Sequence, residues 1–508
     1  MKKTFFELFA FAIFLSGPFL AAADVVPNSL FSDHAVLQRN TPIPVWGTAS
    51  DGEKIKIEFA GQKVKTIAYD GKWMIKLKPL KASGPFVMTI TGNNTITISD
   101  ILVGEVWVCS GQSNMELKLS QGIVNGEQEI AGAQYSQIRQ FYVPNKPSHT
   151  HDAVINGTWL VCSPETVKGF TAVGYFFARD LYKKLNIPFG IISSSVGGTP
   201  AESWTSREAM QSNPLLKSVV DDYDNSVKTF SDRLAKFKLD EPSLLEKYNA
   251  LVDSAKKLNK RLPPRPNAPQ DPVLSGSAGG LYFGMILPLQ PYAIKGVIWY
   301  QGEANSPRGE HYKILFPALI ADWRKAWGQG DFPFLFVQIA PYKGMSPEIR
   351  EAQLYSWKNT PNTAMAVTTD CGNAEDIHPK LKQPVGDRLA RAAMALAYHK
   401  KGEYSGPVYD TIKIDGSKAI LSFTHAKQLV TKGDTLKGFF IAGSDKKFVQ
   451  AKAEINGNKI VVYSDEVTSP IAVRYGWANV PDVNLYNEED LPASPFRTDN
   501  FKELPKAK

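Results

Sequence analysis

Five short apolar runs, Val103–Val108, Ile187–Ser193, Gly296–Tyr300, Phe334–Ile339 and Ala364–Thr369, recur between Ile101 and about Lys400 with helical patterns between them. Runs that are apolar on consecutive residues belong to strands buried on both faces, and helical crossovers between such strands call for a mostly parallel sheet covered on both sides. The flanks read differently. From Val25 to Asp100, short alternating segments such as Lys54-Ile55-Lys56-Ile57-Glu58-Phe59 are punctuated by Asp51-Gly52, Asp70-Gly71 and Gly92-Asn93. Short β-like pieces, Ile412–Ile414, Ile420–Phe423, Leu436–Ile441 and Ile471–Tyr475, return after Gly402. Alternation with such turn residues marks antiparallel β-structure. The expected organisation is an α/β chain: a three-layer α/β/α domain over 101–400, flanked by β-sandwich-like domains over 24–100 and 401–508. Within the middle domain, about 206–274 reads as an inserted helical pair. Pro263-Pro264-Arg265-Pro266 then ends regular structure in a loop expected to overhang the strand ends.

At the N-terminus, Lys2 and Lys3 precede the apolar stretch Phe5–Phe19, and Ala21-Ala22-Ala23 offers small residues for cleavage. This is the pattern of a signal peptide over 1–23, which places the mature chain in the periplasm or outside the cell, with no span expected after its removal. Removing Lys2, Lys3 and Glu7 lowers the net charge from +8 to +7, thinly spread over a chain that is 43% hydrophobic and 21% charged. That is ordinary globular composition. The densest basic run, Lys256–Arg265, lacks interleaved aromatics, so nucleic acid is not expected as a partner. Cys109, Cys162 and Cys371 are too scattered for a disulfide framework or a zinc site, and no metal is expected.

In a parallel sheet, ligands gather beyond the carboxyl ends of the strands. Four loops there carry polar or glycine content: Gly111-Gln112-Ser113-Asn114-Met115, Ser195-Val196-Gly197-Gly198-Thr199-Pro200, Trp299-Tyr300-Gln301-Gly302-Glu303-Ala304-Asn305 and Asp376-Ile377-His378-Pro379. A serine hydroxyl becomes a nucleophile when a base accepts its proton and a carboxylate orients that base. Asp376 and His378, two apart in an extended loop, point the same way and suit those roles. Taken singly, each loop is equally compatible with a tight turn or a helix cap.

Together and in this order, the four loops resemble the signature blocks of the SGNH (GDSL-like) hydrolases, in their sialate O-acetylesterase branch. The likeness continues through Gly284-Met285-Ile286, Ile294–Ile298 and Lys382-x-x-Val385-Gly386-x-Arg388-Leu389-Ala390, and more loosely at Val36-Leu37-Gln38-Arg39. The resemblance implies an SGNH-like fold and a carbohydrate O-acetylesterase that acts on acetylated sugars without a cofactor. It implies Ser113 as nucleophile, His378 as general base and acid, and Asp376 as orienting carboxylate. The oxyanion donors implied are the Ser113 amide, Gly197 or Gly198, and a side chain from the third block. That block departs from the wider superfamily's Gly-x-Asn-Asp, leaving Asn305 or Gln301 for the last donor. Gln112 and Glu303 are expected to contact substrate.

Two other readings fit an exported chain with aromatic-rich loops. One is a glycoside hydrolase pairing Glu303 with Asp370 or Asp376. The other is a carbohydrate-binding protein without turnover.

Overall fold

The computed structural model describes residues 24–151, 154–273 and 276–501; the expected signal peptide lies outside them. The central sheet runs in the order Trp159–Cys162, Tyr135–Tyr142, Phe189–Ser195, Thr95–Gly111, Gly296–Tyr300, Phe334–Val337, Thr363–Ala366. Every neighbouring pair is parallel except the first, whose edge strand Trp159–Cys162 runs antiparallel. All five expected apolar runs contribute strands here.

Consecutive residues of these strands enter opposite cores, which is why the runs are apolar throughout. Val106, Val108, Val297, Trp299, Phe334 and Phe336 face one cluster, joined by Tyr312, Phe316, Ile349 and Ala352 from helices Gly309–Trp327 and Pro347–Asn359. Trp107, Cys109, Ile298, Tyr300, Leu335 and Val337 face the other, covered by Ala172–Leu185 and Gln383–Leu396. Thr171 caps the first of these covering helices by accepting from the Gly174 N–H, and Asn186 closes it in the left-handed region. The result is the three-layer α/β/α arrangement. All three cysteines are buried and free.

The strand Thr95–Gly111 is 17 residues long and does two jobs. Its first half pairs antiparallel with Ser83–Thr91, and Val36–Gln38 lies parallel to it at Leu102–Gly104. Its second half sits mid-sheet between Phe189–Ser195 and Gly296–Tyr300. Residue 100, the expected domain boundary, therefore falls within a strand. The Val36-Leu37-Gln38-Arg39 motif fastens this junction: Gln38 accepts from the Val106 N–H at 2.8 Å and donates to the buried Glu105 carboxylate, which also pairs with Arg39. At the other end of the chain, three small antiparallel sheets pack on the helical layer. The fully buried Arg350 holds them by donating to the carbonyls of Ala478 and Asn479 at 2.8 and 2.7 Å.

The expected insertion is helical, with Arg207–Ser212, Lys217–Lys228 and Phe230–Lys257 in succession. Val220 and Tyr223 tie the second to the body, whereas Phe230–Lys257 buries none of its residues. Among the described residues, no helix is long and apolar enough to cross a membrane.

Candidate active site

The strand Thr95–Gly111 delivers its carboxyl end to the middle of the sheet. Gly111 has φ +136°, and a Cβ there would lie 2.1 Å from the Tyr300 carbonyl oxygen, so only glycine lets the two strands stay this close as the chain turns. Gln112 then accepts into the short helix Ser113–Glu116, whose fully buried Met115 anchors it in the core. Ser113 is left at the rim of the sheet.

His378, 265 residues further on, meets it there: the ring Nε2 is 2.9 Å from the Ser113 Oγ. Asp376 occupies the same loop, but its nearest bond is to the backbone, accepting from the His378 N–H at 2.8 Å. Its carboxylate lies 3.9 Å from the ring Nδ1, longer than a hydrogen bond, and both side chains are more than a third exposed. Partial burial lowers the His378 pKa below the ordinary imidazole value; Asp376 opposes that shift, and Lys382 and Lys380 reinforce it.

The second block flanks the serine. Gly197 packs so closely that a Cβ on it would lie 3.3 Å from the Ser113 Cβ. The Gly197 N–H donates to the Glu116 carboxylate at 2.7 Å, while the neighbouring Gly198, at φ +74°, has no bonded partner among the described residues. Past Pro200, a cavity of about 350 Å³ opens, lined by Glu202, Tyr223, Gln270 and Arg308. The loop after the helical insertion thus borders this flank at Gln270.

The third block departs from expectation. Gln301 donates its amide to the Thr199 carbonyl and the Asn305 Oδ1, and accepts from Tyr312. Asn305 donates to Glu202 at 2.8 Å and accepts from the Ala201 N–H. Both are completely buried, and the amide nitrogen of each is already bonded to a neighbouring loop: both Gln301 hydrogens are engaged, and one of Asn305. Gln112 differs: its Oε1 accepts from the Ala304 N–H at 3.3 Å, and its Nε2 has no partner among the described residues. A free amide donor therefore stands beside the nucleophile, one residue before it.

Glu303 was expected on the substrate side, but the structure places it beneath. It is 7% exposed and accepts from the Asn114 Nδ2 at 2.6 Å. Burial raises its pKa, against the pull of its own backbone N–H, Asn114 and Lys382. The carboxylates that the glycosidase reading would pair with it are held by other groups. Burial alone would raise the Asp370 carboxyl, but the Arg388 guanidinium, bonded to both its oxygens at 2.7 and 2.6 Å, outweighs that and holds it low. Asp376 belongs to the histidine loop. All three carboxylates of the glycosidase reading are thus bonded to other groups: Glu303 to Asn114, Asp370 to Arg388 and Asp376 to the His378 N–H. Lys382, quoted above only as part of a motif, enters this same buried layer; its proximity to Glu303 depends on packing that hydropathy does not reveal.

Comparison with known proteins identifies the family. A family profile described as a carbohydrate esterase, sialic acid-specific acetylesterase, matches residues 281–395. The sialate O-acetylesterase of Rattus norvegicus is 31% identical over 92% of this chain and 93% of its own length; that of Homo sapiens is 29% identical over 92% and 91%. Among solved structures, a carbohydrate acetylesterase from Xanthomonas citri superposes with a TM-score of 0.80 at 35% identity, covering 94% of this chain and 100% of that one. With a serine and a histidine in hydrogen-bond contact at the head of an SGNH-like sheet, and relatives aligned along nearly their whole length, the chain belongs to the sialate O-acetylesterase family of carbohydrate esterases.

Proposed function

We propose that this esterase works through a covalent acetyl-enzyme formed on Ser113. The observation that carries the reading is the 2.9 Å contact between Ser113 Oγ and His378 Nε2. Ser113 attacks the acetyl carbonyl as His378 takes its proton; the protonated ring then returns that proton to the departing sugar alkoxide. Water, activated by the same imidazole, adds to the acetyl-enzyme and releases acetate, restoring the serine. Asp376 stabilises the imidazolium from 3.9 Å and braces its loop through the His378 N–H. The oxyanion is held by the Ser113 and Gly198 amides and, in place of Asn305 or Gln301, by the Gln112 side chain. Acetylated sialic acid is the first substrate to offer, because that is the activity for which the aligned relatives are named.

Ser113→Ala should fold normally and release no acetate from an acetylated sugar. Full activity in that variant would exclude the mechanism.

We also infer that residues 1–23 direct export, on the strength of Lys2-Lys3, the apolar stretch that follows and Ala21-Ala22-Ala23. Sequencing the N-terminus of protein recovered outside the cytoplasm should begin at Asp24. A chain retained in the cytoplasm with its leader intact would refute this.

A further inference from the structure

Three motif residues that the acyl-transfer reading leaves without a task meet at one point under the nucleophile. Asn114, immediately after Ser113, has both hydrogens of its side-chain amide and one lone pair of its oxygen engaged. One Nδ2 hydrogen goes to the Glu303 carboxylate at 2.6 Å and the other to the Ile377 carbonyl at 3.0 Å, while Oδ1 accepts from the Lys382 ammonium at 2.6 Å. All three residues are buried: Asn114 and Lys382 are each 1% exposed, and Glu303 is 7% exposed. A single amide thus bridges a buried anion and a buried cation and grips the carbonyl immediately before His378.

The geometry is costly, which asks for a reason. An ammonium and a carboxylate out of water each lose several kcal/mol of hydration, and here they do not touch. Among the described residues, Lys382 has one hydrogen-bond acceptor and the face of the Tyr300 ring, 5.1 Å away. Glu303 keeps one carboxylate oxygen buried with no bonded partner among the described residues. A core built for stability alone would fill this space with apolar side chains. What the arrangement does achieve is a four-way tie: the nucleophile helix (Asn114), the third-block turn (Glu303), the histidine loop (Ile377) and the residue leading into helix Gln383–Leu396 (Lys382) converge on one planar group.

We propose that Asn114, Glu303 and Lys382 form a buried positioning relay that holds the His378 ring in register with the Ser113 hydroxyl, and that turnover requires both charges of the relay. It rests on the serine mechanism above. None of the three touches substrate. They act through the Ile377 carbonyl, which fixes the backbone that carries the imidazole, and through Asn114, which fixes the backbone that carries the hydroxyl. A displacement of about 1 Å between reacting groups can cost about 100-fold in rate, so a rigid link of this kind governs kcat rather than binding.

The charge requirement has a physical basis. Lys382 is pulled down to about 7, first by burial; Glu303, Cys371 and Asp376 oppose this and Lys380 adds to it. The proton on its ammonium therefore leaves within the working range, and with it goes the counter-charge for Glu303. On the alkaline side, kcat falls as that proton is lost. On the acid side it falls as His378 gains one.

The experiment is steady-state kinetics of the full chain on 4-nitrophenyl acetate across about pH 5 to 9, with labelling of Ser113 by a fluorophosphonate probe as the independent check on the nucleophile. Lys382→Met should lower kcat about 10-fold or more while KM moves less than about 2-fold, and its alkaline limb should vanish. Glu303→Gln is nearly isosteric and keeps an acceptor toward Asn114, so it preserves the fold. By removing one of the two charges it should lower kcat about 10-fold at the pH optimum, and by removing the pull that favours the Lys382 proton it should also move the alkaline limb to lower pH. A Lys382→Met enzyme within about 2-fold of the parent kcat, or a loss confined to KM, overturns the relay. So does an alkaline limb unmoved by Glu303→Gln. If the parent is not labelled and Ser113→Ala stays active, the serine mechanism itself has failed. With labelling intact and Ser113→Ala inactive, the same kinetic results reject the relay alone.

Discussion

At the scale of single residues, the site separates groups that meet substrate from groups that hold them. The proposed mechanism puts Gln112 with the first, because its Nε2 is the one side-chain amide donor of the first and third blocks that no described residue engages. Gln112→Ala should lower kcat by about 100-fold with little change in KM, since a donor aimed at the oxyanion acts chiefly in the transition state. A loss appearing only in KM would reassign Gln112 to substrate binding. His378 must be neutral to accept the serine proton. Because burial lowers its pKa, first among the causes, kcat/KM should hold on acidification past the usual imidazole midpoint and decline only below about pH 6.5. A decline already complete above that value would contradict the assignment. The pairing of Ser113 with His378 was legible in the sequence because both sit in loops that follow recognisable strands. The commitments of Asn305, Gln301 and Glu303 were not, because which polar side chain turns inward depends on Glu202, Thr199 and Asn114, contributed by other loops.

Among elements, burial sorts what matters for stability from what does not. Leu181 in the covering helix Ala172–Leu185 is fully buried, whereas Leu239 in Phe230–Lys257 is 81% exposed. Leu181→Ala should cost about 3 kcal/mol in denaturant unfolding, and Leu239→Ser less than about 0.5 kcal/mol. Equal losses would mean that the long helix is packed against something in solution. The five expected strands stood out because both faces of each are covered. The strand Tyr135–Tyr142 did not, because two of its inward positions are polar. Arg139 is buried with its guanidinium on Asp100, and Gln140 is buried while accepting from the Thr171 N–H. Polar residues satisfied inside a sheet look like surface residues until their partners are known.

For the molecule as a whole, the outer β-structure is not an appendage. Val36–Gln38 and Ser83–Thr91 pair with the strand that ends at the nucleophile, and the N-terminal strands share a core cluster with the central sheet. A chain beginning at Ile101 should therefore yield no soluble, folded esterase, as judged by circular dichroism and 4-nitrophenyl acetate turnover; a stable, active fragment would show that the two parts fold independently. The strand Thr95–Gly111 is one backbone but not a straight one: Asp100 sits at φ +55°, and the pairing with Ser83–Thr91 shifts register beside it. That kink turns the chain from the outer sheet into the central one, so loosening the outer half would unsettle the footing of the nucleophile turn as well.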